Sequence, residues 1–268
     1  MKVSGKTIAV TGGGNGIGRQ LVLGLLARGA RVAAIDMSEA ALQETVSIAA
    51  AGDKLSTHIA NITDRTAVEA LPEATISAHG QVDGLINCAG IIQPFVKLNE
   101  LEYDAIDRVM NVNFFGTLYM TKAFLPYLLK RPAAHIVNVS SMGGFLPVPG
   151  QTIYGASKAA VKLLTEGLNS ELTETNVRVT VVFPGAIHTD ISVHSGIQAA
   201  GDAKQAAEQS KIKMTEPSVA AALMLDGVES DAYRVLVGPD AKAMDRLSRL
   251  SPKFAAGVIY KNMRSLLG

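Results

Sequence analysis

The chain has 268 residues, of which 48% are hydrophobic and 18% charged, and its formal net charge is +1. This length and composition favour one domain with a substantial core, and the near-neutral charge excludes a global field that would attract nucleic acid. One cysteine, Cys88, excludes an intrachain disulfide, and neither a membrane-spanning apolar run nor a signal-peptide pattern at Met1–Lys6 is present, so we expect a cytoplasmic protein.

Short apolar runs alternate along the chain with longer segments of helical periodicity. The predicted strands are Ile8–Val10, Arg31–Ile35, Leu55–Ile59, Leu85–Cys88, His135–Val139, Val177–Phe183 and Arg234–Val237. The predicted helices include Gly16–Arg28, Glu39–Ala51, Thr63–His79, Leu101–Lys130 and Thr152–Glu174. Several strands are apolar on both faces, as in a parallel sheet covered by helices. The alternation predicts an α/β fold, a doubly wound (Rossmann) parallel seven-stranded sheet of order 3-2-1-4-5-6-7 in a single domain.

A glycine-rich turn, Thr11–Gly18, joins the first predicted strand to the first helix. Glycine lets a backbone approach a ligand closely, and the start of the helix offers free N–H groups to an anion such as a pyrophosphate. Asp36 closes the second strand, where a carboxylate can accept hydrogen bonds from a ribose diol. A tight turn between strand and helix would explain the glycines alone, and a helix cap would explain Asp36 alone. The combined order of strand, glycine-rich turn, helix, strand and acid predicts dinucleotide binding.

The same carboxylate favours NAD over NADP. A carboxylate close to a 2′-phosphate is a like-charge contact that costs several kcal/mol at an intermediate dielectric. Met37 follows Asp36, and Asn15 stands where an NADP enzyme often has Arg or Lys. The predicted cofactor is therefore NAD.

Tyr154 and Lys158 lie four residues apart at the start of a long predicted helix, so their side chains share one helix face. An ammonium ~4 Å from the phenol contributes ~4 kcal/mol at an effective dielectric near 20, of the order of three pKa units before desolvation is counted. The pair therefore predicts a phenol that gives or takes a proton. Ser140 and Ser141 end the fifth strand, where one of them can hydrogen-bond a substrate oxygen.

These motifs together resemble those of the short-chain dehydrogenase/reductase family over roughly residues 5–240. The matching segments are Thr11–Gly18, Asn87–Gly90, Asn111–Asn113, Ser140–Ser141, Tyr154–Lys158 and Pro184–Gly185. The resemblance implies that Tyr154 is the acid/base, that Lys158 lowers its pKa and holds the nicotinamide ribose, and that Ser141 rather than Ser140 is the catalytic serine. It also implies that Asn113 kinks its helix and anchors a water of the proton relay.

The motifs and the resemblance together give a set of cofactor-binding residues. They are Gly12, Asn15, Gly16, Ile17, Gly18, Asp36, Asn61, Ile62, Asn87, Ala89, Gly90, Tyr154, Lys158, Pro184, Gly185, Ile187 and Thr189. Asn61 departs from the acid usual in the family, although its amide can make the same hydrogen bond. Cys88 replaces a common Asn and is interpreted as a small buried filler. The five histidines show no metal-ligand spacing, so no metal is expected.

Residues 1–240 are thus predicted to form a dinucleotide-binding and catalytic domain with a substrate loop at 186–215. Residues 241–268 are predicted to be a C-terminal helical extension of that domain, because apolar residues recur there at near-helical spacing from Leu247 to Leu267. Basic residues lie among them at Arg246, Arg249, Lys253, Lys261 and Arg264. We expect this tail to cover the substrate cleft or a neighbouring subunit, and contact with a membrane surface is the less favoured alternative.

The sequence therefore predicts an NAD-dependent oxidoreductase that transfers a hydride between NAD(H) and an alcohol or ketone, with apolar substrates favoured by the predicted loop. We expect a homodimer or homotetramer. Three alternatives stay open, namely an NADPH-dependent ketone reductase, an epimerase that uses bound NAD transiently, and a non-catalytic NAD-binding sensor on the same fold. The presence of Ser141, Tyr154 and Lys158 argues against the sensor.

Overall fold

The computed structural model describes residues 1–197 and 214–267. Its strands are β1 (Thr7–Thr11), β2 (Arg31–Asp36), β3 (Leu55–Ile59), β4 (Gly84–Asn87), β5 (Ala134–Val139), β6 (Val177–Pro184) and β7 (Arg234–Val237). They form one sheet in the order β3-β2-β1-β4-β5-β6-β7, and each neighbouring pair is parallel. The prediction of a single α/β domain with a doubly wound, seven-stranded parallel sheet is therefore confirmed, strand order included.

Helices cover both faces of this sheet. In the described ranges they are α1 (Gly16–Ala27), α2 (Glu39–Ala49), α3 (Arg65–His79), α4 (Tyr103–Met110), α5 (Thr117–Leu128), α6 (Thr152–Glu171), α7 (Ile191–His194), α8 (Pro217–Glu229), α9 (Pro239–Leu250) and α10 (Pro252–Met263). One core layer joins β1 to α1 and α8 through residues such as Leu21 and Leu225. The other joins the sheet to α3, α5 and α6 through residues such as Phe124 and Leu168. Strands β1 and β5 are buried along their whole length, which is why their sequences are apolar on both faces.

The segment predicted as one helix over Leu101–Lys130 is divided in the structure. Helix α4 ends at Met110, a π-helical turn spans Asn111–Gly116, and α5 begins at Thr117. A π turn inserts an extra residue into the hydrogen-bond ladder and occurs frequently at functional sites. Here it carries the Asn113 side chain away from the helix surface to the backbone of Ile91. The prediction of a single helix over Leu101–Lys130 was therefore wrong.

The C-terminal tail is a pair of helices, α9 and α10, that meet at Ser251–Pro252. Proline suits the first turn of α10, because a residue there needs no N–H donor for the helix. Ala255 and Ile259 pack with Leu146 in a small separate core. That core lies on the segment just after Ser141. The described part of the tail contributes no residue to the lining of the cleft described below.

None of the helices in the described part of the chain combines the length and apolar character that a membrane span requires. The predicted substrate loop at 186–215 is described only at its two ends. There, Ile187 forms a parallel bridge with Thr215. Residues 198–213 of this loop lie outside the described residues.

Candidate active site

A cleft of about 590 Å³ opens at the carboxyl edge of the sheet, where open α/β sheets bind ligands. It brings together most of the predicted site residues. Those that line it are Gly12, Asn15, Gly16, Ile17, Gly18, Asp36, Asn61, Ile62, Ala89, Gly90, Ser141, Tyr154, Lys158, Pro184, Gly185, Ile187 and Thr189. Asn87 and Asn113 are outside this lining and lie in the walls behind it.

The glycine-rich turn packs too closely for side chains. Gly12 has a φ of +72°, and a Cβ there would approach the backbone of Ala89 to 3.1 Å. A Cβ on Gly18 would collide with the carbonyl oxygen of Gly12. The first turn of α1 holds no acidic residue and its N-cap, Asn15, makes no side-chain capping bond. The N–H groups of that turn are therefore available to an anion, and the helix dipole favours one there.

Asp36 is fixed at the edge of the cleft by two backbone hydrogen bonds. Its Oδ2 accepts from the N–H of Gly14 at 3.0 Å and its Oδ1 from the N–H of Ser38 at 3.1 Å. The N-cap of α2 is Ser38, whose hydroxyl accepts from the N–H of Ala41. Asp36 is therefore not the helix cap, and its carboxylate borders the cleft in a defined position.

Arg19 lies near this end of the cleft and is held by a carboxylate. It pairs with Glu44 at 2.6 Å and also donates to the carbonyl oxygen of Gly14. This contact lowers the pKa of the Glu44 carboxyl. Arg31, which begins β2 at the opposite edge of the sheet from Asp36, pairs with Asp53 at 3.2 Å.

Ser141 and Tyr154 face each other across the end of β5. The Ser141 hydroxyl accepts from the N–H of Gly143 at 3.0 Å, within the 3₁₀ turn Met142–Gly144. Ser140 instead donates its hydroxyl to the carbonyl oxygen of Lys158 at 2.7 Å. A Cβ on Gly143 would lie 3.4 Å from the Tyr154 ring and 3.5 Å from the Ser141 hydroxyl, so the two side chains flank this glycine. Burial raises the pKa of Tyr154, and Ser141 has a smaller opposing effect. The structure thus brings Tyr154 and Ser141 to the same part of the cleft and leaves Ser140 bound to the backbone of α6.

Lys158 is buried beneath the phenol. Its Nζ donates to the carbonyl oxygen of Val139 at 2.9 Å and lies 5.9 Å from the centroid of the Tyr154 ring. Burial lowers the pKa of Lys158 to about 8, against a smaller opposing effect of Cys88. The spacing of Tyr154 and Lys158 predicted that the ammonium lowers the pKa of Tyr154. In the structure, burial raises that pKa, and the smaller opposing effect comes from Ser141 rather than from Lys158.

Asn113 and Asn87 support the walls of the cleft. Asn113 is fully buried; its Oδ1 accepts from the N–H of Ile91, and its Nδ2 donates to the carbonyl oxygen of Ile91 and to the hydroxyl of Ser157. The amide nitrogen of Asn87 donates to the Thr121 and Asn138 side chains at 3.1 and 2.8 Å. Contact between Asn87 and the cofactor stays a prediction.

Gln93 was not found by the sequence analysis. It is fully buried, and its Oε1 accepts from the N–H groups of Ile153 and Tyr154 at 2.8 and 2.9 Å. Its Nε2 donates to the carbonyl oxygen of Gly150 at 3.0 Å. The N-cap residue of α6, Gln151, makes no side-chain capping bond, so Gln93 supplies the cap from another part of the chain. The only local signal is an amide inside the apolar run Ile91–Phe95.

Ile92, next to Gln93, connects the Ile91–Phe95 segment to α7 on the other side of the cleft. Its N–H donates to the hydroxyl of Ser195 at 3.0 Å, and that hydroxyl donates to the carbonyl oxygen of Ile191 in α7. The other lining residues outside the predicted set are mostly apolar. They are Ile35, Met37, Ser38, Ala60, Cys88, Ile91, Ile92, Val112, Val139, Ser140, Ile191 and His194.

Cys88 is half-buried and lines the cleft. Desolvation raises the pKa of its thiol to about 12, so the reactive thiolate is scarce at neutral pH. Within residues 1–197 and 214–267, no three His, Cys, Asp or Glu side chains are grouped so as to hold a metal ion.

The parallel sheet, its cleft at the carboxyl edge and the glycine turn at the start of α1 define a doubly wound α/β protein with a built anion cradle beside a serine, tyrosine and lysine. The sequence model described as short chain dehydrogenase matches residues 6–199. The chain belongs to the short-chain dehydrogenase/reductase family of oxidoreductases.

Relatives and solved structures agree with this membership. The chain is 36% identical over 251 residues to "Putative oxidoreductase SadH" of Mycobacterium tuberculosis, which covers 92% of this chain and 91% of SadH. A short-chain dehydrogenase/reductase from Burkholderia phymatum in complex with NAD superposes with a TM-score of 0.85 at 26% identity, covering 95% of this chain and 96% of that one. One from Burkholderia cenocepacia in complex with NADP gives 0.81 at 28% identity, covering 97% and 99%.

Proposed function

We propose that this protein transfers a hydride between NAD(H) and an alcohol or ketone, with Tyr154 as the proton donor and acceptor. The observation that carries the proposal is the placement of Ser141 and Tyr154 beside the same glycine, Gly143, next to the buried Lys158 and in the same cleft as an uncapped helix start. Proton transfer needs the serine, tyrosine and lysine, and dinucleotide binding needs the free N–H groups at the start of α1. A hydride transfer from the dinucleotide requires both parts in one cleft.

The residues present fit a nicotinamide dinucleotide. The uncapped first turn of α1 would hold the pyrophosphate, Asp36 the adenosine ribose, and Asn61 with Ile62 the adenine. At the other end, Tyr154 and Lys158 would hold the second ribose, and the Pro184–Thr189 segment the nicotinamide amide. When bound, the nicotinamide ring gives or accepts the hydride.

Asp36 supports NAD rather than NADP. Its two backbone bonds prevent the carboxylate from turning away from the ribose position. A 2′-phosphate ~4 Å away would meet a like-charge cost of ~4 kcal/mol at an effective dielectric of 20. Arg19 is engaged by Glu44, and Arg31 lies at the opposite end of β2 from Asp36, so neither offsets that charge. Because solved relatives contain either cofactor, an NADPH-dependent ketone reductase is the second candidate.

The side chains supply the proton chemistry. The raised pKa of Tyr154 keeps the phenol protonated at neutral pH, which is the form that donates a proton to a ketone oxygen as the carbon is reduced. In the reverse direction the phenol must be ionised to take the alcohol proton, and the Lys158 charge and the Ser141 hydroxyl then stabilise the phenolate. With a pKa of about 8, Lys158 remains mostly charged at pH 7.

The substrate end of the cleft favours an apolar compound. Ile91, Ile92 and Ile191 line this region together with His194, and ligand pockets of this kind use a few polar groups for orientation and apolar contacts for affinity. The proposed substrate class is therefore an apolar alcohol or ketone.

The purified protein should be screened with secondary and primary alcohols plus NAD, and with ketones plus NADH or NADPH, while NADH or NADPH absorbance is followed. We expect turnover with NAD(H) at a higher kcat/KM than with NADP(H). Ser141→Ala should lower kcat at least tenfold, whereas its neighbour Ser140→Ala serves as the matched control and should lower stability more than kcat. NAD binding without turnover of any substrate would contradict the proposed oxidoreductase activity and favour a non-catalytic NAD-binding sensor.

A further inference from the structure

The near-neutral net charge of the chain conceals a strongly uneven distribution. Residues 241–268 contain six basic residues and one acidic residue, so the rest of the chain carries a net negative charge. The one acid, Asp245, is buried and accepts from Arg234 at 2.8 Å and from Arg249. Its negative charge is therefore balanced inside the fold and leaves the surface of this segment basic.

Helices α9 and α10 and the turn at Ser251 between them are called the hairpin here. One face of the hairpin packs against the rest of the fold. Ala255 and Ile259 pack with Leu146, and Met244 and Leu247 border the same small core. This contact explains part of the apolar spacing in the tail, and it places the hairpin against the segment that follows Ser141. The outer face of the hairpin is what the fold leaves to solvent.

That outer face combines basic and large apolar side chains. Leu250 is 86% exposed and Phe254 is 61% exposed, on either side of the turn between the two helices. The exposed basic residues of the hairpin are Lys242, Arg246, Arg249, Lys253 and Lys261. Among the described residues of α9 and α10, none of the fully exposed side chains is acidic.

We propose that the hairpin docks the protein on an anionic lipid surface, with Leu250 and Phe254 entering the headgroup region and the basic side chains contacting lipid phosphates. Apolar side chains on one face with Lys and Arg around them are typical of helices that lie in a membrane interface. Lipid is favoured over an acidic protein because Leu250 and Phe254 are both exposed close to the basic side chains, and a deformable lipid surface accepts large apolar side chains without a matching pocket.

Docking in this way would bring the segment after Ser141, on which the hairpin packs, close to the lipid. An apolar alcohol or ketone dissolved in that lipid would then have a short path to the protein. This consequence rests on the proposed function, whereas lipid binding itself does not require turnover.

The test is co-sedimentation of the full chain with vesicles of phosphatidylcholine alone and of phosphatidylcholine with one third phosphatidylglycerol, at low and high salt. We expect binding to the anionic vesicles only, weakened by salt because the contact is partly electrostatic. The double variants Leu250→Ser/Phe254→Ser and Arg246→Glu/Lys253→Glu should each weaken binding at least tenfold. The matched control Ile48→Ser/Lys54→Glu changes one exposed apolar and one exposed basic residue on α2 and the turn after it, and should bind as wild type.

Light scattering and turnover of a soluble alcohol separate the remaining outcomes. Absence of wild-type binding, equal binding to both vesicle types, or unchanged binding by both hairpin variants would overturn the proposal. A smaller particle for the hairpin variants, without vesicle binding by wild type, would instead identify a contact with a second copy. The hairpin variants should keep wild-type turnover of the soluble alcohol, so a failure of lipid binding and a failure of the proposed catalysis are seen in different measurements.

Discussion

Replacing Gln93 with methionine removes the amide that caps the catalytic helix and keeps the length of the side chain. The amide oxygen accepts from the N–H groups of Ile153 and Tyr154, and the amide nitrogen donates to the carbonyl oxygen of Gly150. All three bonds lie at the start of α6, where the first N–H groups of a helix have no partner within the helix.

The expected loss of stability follows from these bonds. Leaving a buried donor without a partner costs ~1–3 kcal/mol, and the loss of a helix N-cap typically costs about 1 kcal/mol. Two orphaned N–H groups at a site that is closed to solvent should therefore lower the free energy of unfolding by about 3 kcal/mol. The change should appear as a lower urea midpoint with an unchanged slope, since the unfolded chain exposes the same surface.

The substitution should also lower kcat, because the lost bonds hold the backbone N–H of Tyr154 itself. A misplacement of about 1 Å can cost on the order of 100-fold in rate, so we expect a loss of ten- to a hundredfold in kcat with little change in the Kd for NADH. Gln93→Glu retains an acceptor for both N–H groups and should recover part of kcat. The exposed Gln43 on α2 provides the matched control, Gln43→Met. A Gln93→Met protein that loses stability but keeps wild-type kcat would refute the positioning of Tyr154 by Gln93, and unchanged stability would refute the cap.

Two further predictions concern cofactor choice and acid stability. Asp36→Ala should lower the ratio of kcat/KM for NAD to that for NADP at least tenfold, since the like-charge contact is gone; a wild-type preference for NADP, or an unchanged ratio, would show that Asp36 has no such role. Burial lowers the pKa of His135 to about 4, so the unfolded chain binds a proton near pH 6.5 that the folded chain refuses until about pH 4. Stability should therefore fall as the pH drops through this window, by up to about 3 kcal/mol from this residue, and His135→Gln should reduce that fall in urea titrations at pH 7 and 4.5. If the free energy of unfolding of His135→Gln fell as much as that of the wild type, groups other than His135 would be responsible for the acid sensitivity.

The fold and one half of the cleft follow from local patterns in the sequence. Strands buried on both faces are apolar runs, and the glycine turn and Asp36 directly follow β1 and close β2, so their meeting at the carboxyl edge is a consequence of a parallel sheet. Ser141, Tyr154 and Lys158 were found because each lies at a recognisable strand end or helix start.

The remaining features depend on contacts between distant segments. The cap provided by Gln93 joins residues 60 and 61 positions apart, and nothing near α6 in sequence reveals it. The resemblance implied a kink at Asn113, but the bonds of Asn113 to the backbone of Ile91, which accompany the π turn at Asn111–Gly116, join segments far apart in the sequence. The direction of the pKa change at Tyr154 is set mainly by its burial, and the spacing of two residues along a helix does not reveal how deeply a side chain is buried.

Tyr154→Phe tests whether Tyr154 moves the proton during hydride transfer. The substitution keeps the ring and removes only the hydroxyl, so we expect kcat to fall by about 100-fold or more, the usual contribution of general acid-base catalysis, while the Kd for NADH, measured by fluorescence titration, changes only a few-fold. Tyr103→Phe, at a tyrosine exposed on α4, is the matched control and should keep wild-type turnover. A near-normal kcat of Tyr154→Phe with the best alcohol or ketone would show that Tyr154 does not move the proton.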